Sequence, residues 1–410
     1  MRGTSIVAVC GLGAVLGLGQ VGCSGQGNYT REGASVAKER MNAMKSATEW
    51  EMGRQAFVSG DLEKALRKVD ASLSLNQNVV KSHVLRARIM IEKGELGQSL
   101  RSLNTAITLD PQDADAHYYL GVTFERLNRP QEAAEHFMIA SEVDEYNPGH
   151  AVAAAEMLVD MNQTEEARQY LLALPSTNDN AGIRQMLGHI ALIQGDKEAA
   201  VGFFSQARLL APDDQAIQED LIRAQMQVGQ YAAAELNIAA IRQNKANATR
   251  RDLMQMHAEA LMGVNRPVEA RALYQELLND PNMVSDVQAW IGLGNASYLV
   301  NDQRTLRRAA SRVVALAPSS YEGYALWALC HRRDRQFDKA LSSVDQAILR
   351  APSDPSFHGL RAMILADQGR TNEAVLAARK AAQLAPNEPK YETLQSQLRT
   401  GTYATVPVTE

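Results

Sequence analysis

Apolar residues recur along this chain at helical spacing, in paired stripes that return after a fixed length. Asp61-Leu62-Glu63-Lys64-Ala65, Pro130-Gln131-Glu132-Ala133, Thr164-Glu165-Glu166-Ala167, Asp196-Lys197-Glu198-Ala199-Ala200, Phe337-Asp338-Lys339-Ala340 and Thr371-Asn372-Glu373-Ala374 align on one alanine. Ala133 and Ala167 are 34 residues apart, as are Ala340 and Ala374, and Ser99 fills the slot midway between Ala65 and Ala133. Pro318, Pro352 and Pro386 keep the same interval. The pattern predicts about ten helix pairs, starting near residues 46, 80, 114, 148, 181, 215, 251, 287, 321 and 355. A tight connection at Leu174-Pro175-Ser176 and a longer one over 244–249 are loop-length changes that such an array tolerates. Tyr391, Leu394 and Leu398 on one face, with Glu392, Gln395 and Gln397 outward, predict a closing helix over 389–399 and a disordered tail over 400–410.

Each pair explains its own residues. The first helix carries a large residue followed by glycine, as in Met52-Gly53, Leu120-Gly121, Leu187-Gly188 and Leu293-Gly294. The large residue is expected in the core, and the glycine lets a partner helix approach. Gly in a helix interior costs about 1 kcal/mol relative to Ala, so its recurrence implies a close contact. The recurring alanine of the second helix is the other side of that contact. Pro after Asp110, Ala211, Ala317, Ala351 and Ala385 then stops the second helix by ring clash and a missing donor.

The 34-residue period, the Leu-Gly pair, the alanine and the closing proline resemble the tetratricopeptide repeat family over almost the whole chain after the N-terminal stretch. The resemblance implies an all-α fold: a right-handed superhelical solenoid of about ten helix-turn-helix repeats with a C-terminal capping helix. Repeats one to four would occupy 46–180 and repeats five to ten 181–388. It also implies a concave groove lined by the first helices, where the second, fifth, ninth and twelfth positions meet an extended peptide or a partner helix. Carried onto this sequence, the groove positions include Trp50, Arg54 and Phe57 in repeat one, Lys81, Arg88 and Ile91 in repeat two, and Tyr118, Val122 and Glu125 in repeat three. Later repeats contribute Gln185 and His189, Arg223 and Met226, Met262, and Asn295 and Tyr298. Aromatic residues, Met and isolated Arg are the residue types enriched at protein interfaces. Arg54 and Arg88 share the ninth position and suit a carboxylate. Trp50, Phe57 and Tyr118 equally suit gaps between helices. The family's two-carboxylate clamp needs Lys and Asn at the fifth and ninth positions of one helix, where repeat one has Trp50 and Arg54.

The N-terminus reads as an address. After Met1-Arg2 an uncharged run from Gly3 to Gly22 ends at small residues before Cys23, the layout of a signal peptide over 1–22. Val21-Gly22-Cys23 resembles a bacterial lipobox, with Gln20 where that family usually has Leu. The resemblance implies lipidation of Cys23 and, with Ser24 next to it, an exported lipoprotein held at the outer membrane and facing the periplasm. Residues 23–45 would be a tether and helix lead-in, with Gly25 to Ser35 as the polar part.

Composition narrows the function. The formal charge of -5, from 47 acidic against 42 basic residues, provides no field for a phosphate backbone, which argues against nucleic acid. Three cysteines form no disulfide framework or metal cluster. His83, His117 and His358 share the fourth slot of their repeats, which marks a repeat position and not a metal site. No zinc-protease motif or phosphate loop occurs, since Gly11-Leu12-Gly13 falls in the leader and Gly292-Leu293-Gly294 inside a helix. An enzyme and a cofactor are therefore not expected. Arg304, Arg307, Arg308 and Arg312 with Arg332, Arg333 and Arg335 form a basic strip, expected to be a solvated face. The reading is a protein-binding scaffold for an envelope complex of the pilus, secretion or polysaccharide-export kind. The alternative is a glycan or peptidoglycan carrier with Trp50, Tyr118, Tyr119 and Tyr298 as stacking platforms.

Overall fold

Each apolar stripe folds as a helix, and the helices pair as hairpins. The computed structural model describes residues 28–404, so the leader, Cys23 and residues 405–410 lie outside the described residues. The chain divides into two compact units, the first ending at Gln163 and the second beginning at Thr164. The first unit contains α1 (Asn28–Val58), α2 (Leu62–Leu75), α3 (Val80–Glu92), α4 (Leu96–Leu109), α5 (Ala114–Arg126), α6 (Pro130–Val143) and α7 (Pro148–Asp160). The second contains α8 (Thr164–Ala173), α9 (Ala181–Ile193), α10 (Lys197–Leu210), α11 (Gln215–Gln227), α12 (Tyr231–Arg242), α13 (Arg251–Gly263) and α14 (Pro267–Leu278). It continues through α15 (Val287–Leu299), α16 (Gln303–Leu316), α17 (Glu322–Arg333), α18 (Phe337–Arg350), α19 (Pro355–Asp367), α20 (Thr371–Leu384) and α21 (Pro389–Thr400). A single 3-10 turn, Pro175–Asn178, occupies the shortened connection after α8. Among the described residues there is no strand.

The turn inside each hairpin has one residue in the left-handed region. Gly60, Gly94, Gly195, Gly229 and Gly369 fill that slot in five repeats, and Asn128, Asn162, Asn265 and Asn301 fill it in four. Gly and Asn tolerate positive φ better than other residues. The ninth repeat departs from this, with Arg335 at φ 58°. Many helices are then started by an aspartate or asparagine cap: the side chains of Asp61, Asp113, Asn180, Asp196, Asp286 and Asp302 each accept from a backbone N–H three residues on. At the far end, Ala211, Ala317, Ala351 and Ala385 leave the helical region immediately before a proline.

Packing follows the alanine slot. Ala65, Ala133, Ala167, Ala200, Ala340 and Ala374 are fully buried, and so is Ser99, whose hydroxyl exchanges a 3.0 Å hydrogen bond with Thr123. The glycines opposite are required by space. A Cβ at Gly121 would sit 2.5 Å from the Phe137 ring, at Gly188 2.6 Å from Phe204, and at Gly53 2.9 Å from Val69. Leu120, Leu187 and Leu293 are core residues as expected, but Met52 is exposed. It belongs to the first repeat, and among the described residues no earlier repeat covers that side of the helix.

Two expectations at the ends are corrected. Residues 28–45 continue α1 as uninterrupted helix through most of the segment read as tether and lead-in. The stretch is rich in Ala, Glu, Lys and Met and contains no proline. At the other end, 400–404 is ordered: Gly401 ends α21 in the left-handed conformation, and Tyr403 packs on the last core cluster and accepts a 2.8 Å hydrogen bond from Arg332. The closing helix itself buries Tyr391 and Leu398 as the apolar face predicted.

Candidate functional site: the first-helix faces

In the first unit, α1 and α3 present adjacent side chains from equivalent positions of their repeats. Trp50 is half-buried, its indole N–H donating to the Lys81 carbonyl at 3.1 Å while the Lys81 ammonium lies over the ring. Arg54 is exposed and forms a two-pronged bond to Glu51, at 2.9 and 2.7 Å, which holds the Glu51 carboxyl below its ordinary value. Arg88 differs. Its guanidinium lies between the rings of Phe57 and Tyr119, 5.0 and 4.8 Å from their centroids. No carboxylate among the described residues is within ion-pair reach of it. Stacking of this kind leaves the N–H edge of a guanidinium available for hydrogen bonds.

A cleft of about 270 Å³ joins Trp50, Arg54 and Arg88 with Lys81. It also holds Asp113 and Asp115, two acidic residues that the groove positions did not single out. Asp113 caps α5, and burial raises its carboxyl. Tyr118 stands elsewhere, half-buried, with its ring 5.4 Å from Phe137 and 4.9 Å from His150, so it fills a gap between helices. Val122 is half-buried and Glu125 exposed, and Ile91, expected at the surface, is core.

In the second unit the expected residues are absorbed by a network of charges. His189 and Gln185 meet Asp220 at 3.1 and 2.8 Å, and Arg223 reaches both Asp220, at 2.9 Å, and Glu219, at 3.1 Å. Arg250 and Gln215 also donate to Glu219. Hydrogen bonds from Arg250 hold the Glu219 carboxyl below its usual value. At Asp220 burial works upward, but the bonds from His189 and Gln185 outweigh it, and its carboxyl also falls below its usual value. Tyr298 lies under Arg333, 4.5 Å from ring centroid to guanidinium carbon. Met226 lines a separate cavity with Met262 and Asn295.

Arg304, Arg307, Arg308, Arg312 and Arg335 of the basic strip are exposed, as expected of a solvated face, and Arg333 is half-buried. Arg307 pairs with Asp334 at 2.7 Å, and Arg308 and Arg312 lie over Trp290. Arg332 is buried, with a 2.6 Å pair to Asp367. The fourth-slot histidines share one task. His83, His117 and His358 place Nε2 against the carbonyls of Gln77, Pro111 and Pro352, six residues back, at 2.8, 3.1 and 3.0 Å. Trp290 does the same to Val284, and Tyr324 to Pro318.

Comparison with known proteins agrees with this architecture. Family models described as TPR repeat and tetratricopeptide repeat match residues 87–128 and 325–389. Those two stretches carry tetratricopeptide repeats. A curated relative, the protein FlbA of Caulobacter vibrioides, is 26% identical over 187 residues, which are 44% of this chain and 31% of FlbA. The chain therefore spans about a third of the length of that relative. A tetratricopeptide repeat protein from Parabacteroides merdae aligns over 70% of this chain and 98% of its own, at 14% identity and a TM-score of 0.38. YrrB, described as a TPR protein with an unusual peptide-binding site, aligns over 46% of this chain and 95% of its own, at 17% identity and a TM-score of 0.35. Repeats of this kind support protein–protein interaction.

Proposed function

We propose that this chain is a non-enzymatic scaffold whose first unit binds an extended segment of another protein, with a carboxylate of that segment on Arg88. The observation that carries the reading is the stacked guanidinium of Arg88. It is oriented by Phe57 and Tyr119 and has no acidic partner among the described residues. A fixed guanidinium edge matches a carboxylate in two-pronged geometry, and such bonds are roughly twice as strong as neutral ones. Trp50 and Lys81 would flank the bound chain, while Asp115, exposed on α5, would discriminate against a uniformly acidic one. Arg54 contributes less, because Glu51 already satisfies it.

The wider setting is part of the proposal: export, lipidation at Cys23, the periplasmic face of an outer membrane, and assembly of an envelope complex. A Cys23→Ala variant that still incorporates labelled fatty acid would remove the anchor from it. The glycan-carrier alternative is not adopted. Trp50, Tyr119 and Tyr298 each already carry a cation, and Tyr118 is packed among other rings.

The test is in-cell cross-linking from positions 54 and 118, read by mass spectrometry, with Arg88 in place and in Arg88→Met. Cross-links to a protein partner from 54 that fall about tenfold in Arg88→Met are expected. Undiminished cross-links would refute the role of Arg88.

A further inference from the structure

The cavity in the second unit is built at the expense of local helix stability. Gly263 in α13 and Gly292 in α15 are glycines where helices favour Ala by about 1 kcal/mol each. A Cβ at Gly263 would collide with the ring of Tyr231, and one at Gly292 with the ring of Tyr274. The two rings, from α12 and α14, thus reach backbone that any other residue would deny them. Between them opens a space of about 500 Å³. Met226 and Met262, both at twelfth positions of first helices, form its apolar walls.

Its polar groups are all able to accept. Tyr274 is 3% exposed, and its hydroxyl has no hydrogen-bond partner among the described residues. Burial pushes that phenol well above its ordinary value, so it stays neutral. Glu259, at the ninth position of its repeat, lines the same cavity and is exposed. Its carboxylate receives one 3.2 Å bond from Gln255 and meets no cation among the described residues. Asn295, at the ninth position of the next repeat, adds an amide oxygen.

From this geometry we infer that the cavity binds the side chain of a lysine carried by an extended protein segment, its methylenes along Met226 and Met262 and its ammonium at Glu259, Tyr274 and Asn295. An ammonium brings three donors and no acceptor, so it can give one charge-assisted bond to the Glu259 carboxylate and others to the Tyr274 and Asn295 oxygens, and thioether walls adapt to an unbranched stem. A carboxylate-bearing side chain would be repelled by Glu259, and a purely aliphatic one would leave Glu259 without a cation. The inference rests on the reading of the chain as a binder of extended segments, but it concerns residues of the second unit alone.

The full chain, labelled with ¹³C at its methionine methyls, is titrated with acetyl-Gly-Ser-Gly-Lys-Gly-Ser-Gly-amide and with the same peptide carrying norleucine or Glu for Lys. Met226→Leu and Met262→Leu assign the two signals. The lysine peptide is expected to move both, the norleucine peptide to bind about tenfold more weakly, and the Glu peptide to move neither. Glu259→Gln should remove most of the preference for lysine over norleucine, and Tyr274→Phe should weaken lysine binding severalfold with an unchanged circular-dichroism melt. Norleucine binding as tightly as lysine, or methyl signals unmoved by the lysine peptide at about 10 mM, would overturn the proposal. Arg88→Met separates the two readings, because it leaves these methyl shifts intact whether or not the first-unit site binds its partner.

Discussion

Arg88 and Arg223 occupy the same ninth position of their repeats, one in each unit, and their surroundings differ. Arg88 is held flat by two aromatic rings and faces no carboxylate, whereas Arg223 bridges Glu219 and Asp220, which also collect His189, Gln185, Arg250 and Gln215. The first arrangement orients a charge and leaves it available. The second neutralises charge inside the protein, so that a ligand carboxylate would have to displace partners already in place. Position in the repeat therefore predicts where a side chain stands, while availability depends on its neighbours, in adjacent repeats for Arg88 and on its own helix for Arg223.

The largest test of this contrast is Arg332→Met in the second unit. It leaves Asp367 buried without its cation, and removal of one partner of a buried pair costs about 3–5 kcal/mol. Denaturant unfolding should show that loss, and a change below about 1 kcal/mol would mean that the pair is solvated in solution.

Next comes a direct comparison of the two ninth-position settings. Asp220→Asn should destabilise by about 1–3 kcal/mol, because it weakens several charge-assisted bonds at once. Arg88→Met should alter stability by less than about 1 kcal/mol, since only exposed-edge stacking is lost. Equal costs would erase the distinction. The pH dependence has a definite sign. Glu219 and Asp220 are both held below their ordinary values, so their contribution is fully present above about pH 4.5 and is lost as pH falls through the depressed values. Thermal melts of Asp220→Asn should therefore fall less steeply on acidification than those of the natural chain.

The smallest expected effect concerns an arginine in a left-handed turn slot. Arg335 occupies a left-handed turn slot where nine other repeats have Gly or Asn. Arg335→Gly should raise stability by about 1 kcal/mol, visible as a higher denaturation midpoint at unchanged slope.

The repeat skeleton was legible because it rests on contacts of fixed spacing. Ala65, Ser99 and Ala133 had to be small, Gly121 and Gly188 had to admit Phe137 and Phe204, and the fourth-slot histidines returned at one position because one loop carbonyl awaits each. Met52 was misread because the pattern does not reveal that, among the described residues, no earlier repeat covers its side of the helix. The candidate sites were less legible. Groove positions named Arg88, Arg223 and Met226 alike, although Glu219 and Asp220, four and three residues before Arg223, were a readable sign of its neutralisation that Arg88 lacks. Arg332 looked like part of a solvated strip because Asp367, 35 residues on, and Tyr403, beyond the repeats, are its partners. Tyr231 and Tyr274 lie on second helices, outside the groove positions. The signal that pointed to them was the extra glycine at 263 and 292, unexplained by the Leu-Gly pairs.

The six-residue reach from the fourth slot back to its loop also bears on how the array can be edited. A repeat that carries its own turn, its own small-residue contact and its own carbonyl tie is a nearly self-sufficient brick. Excising one whole period should join like surfaces, whereas removing one residue more or less would rotate every later helix by about 100°. The bricks are nonetheless tied to their neighbours, as Arg332 is to Asp367, Arg250 to Glu219 and His189 to Asp220. The wall can be shortened, but each of these courses is mortared to the one above.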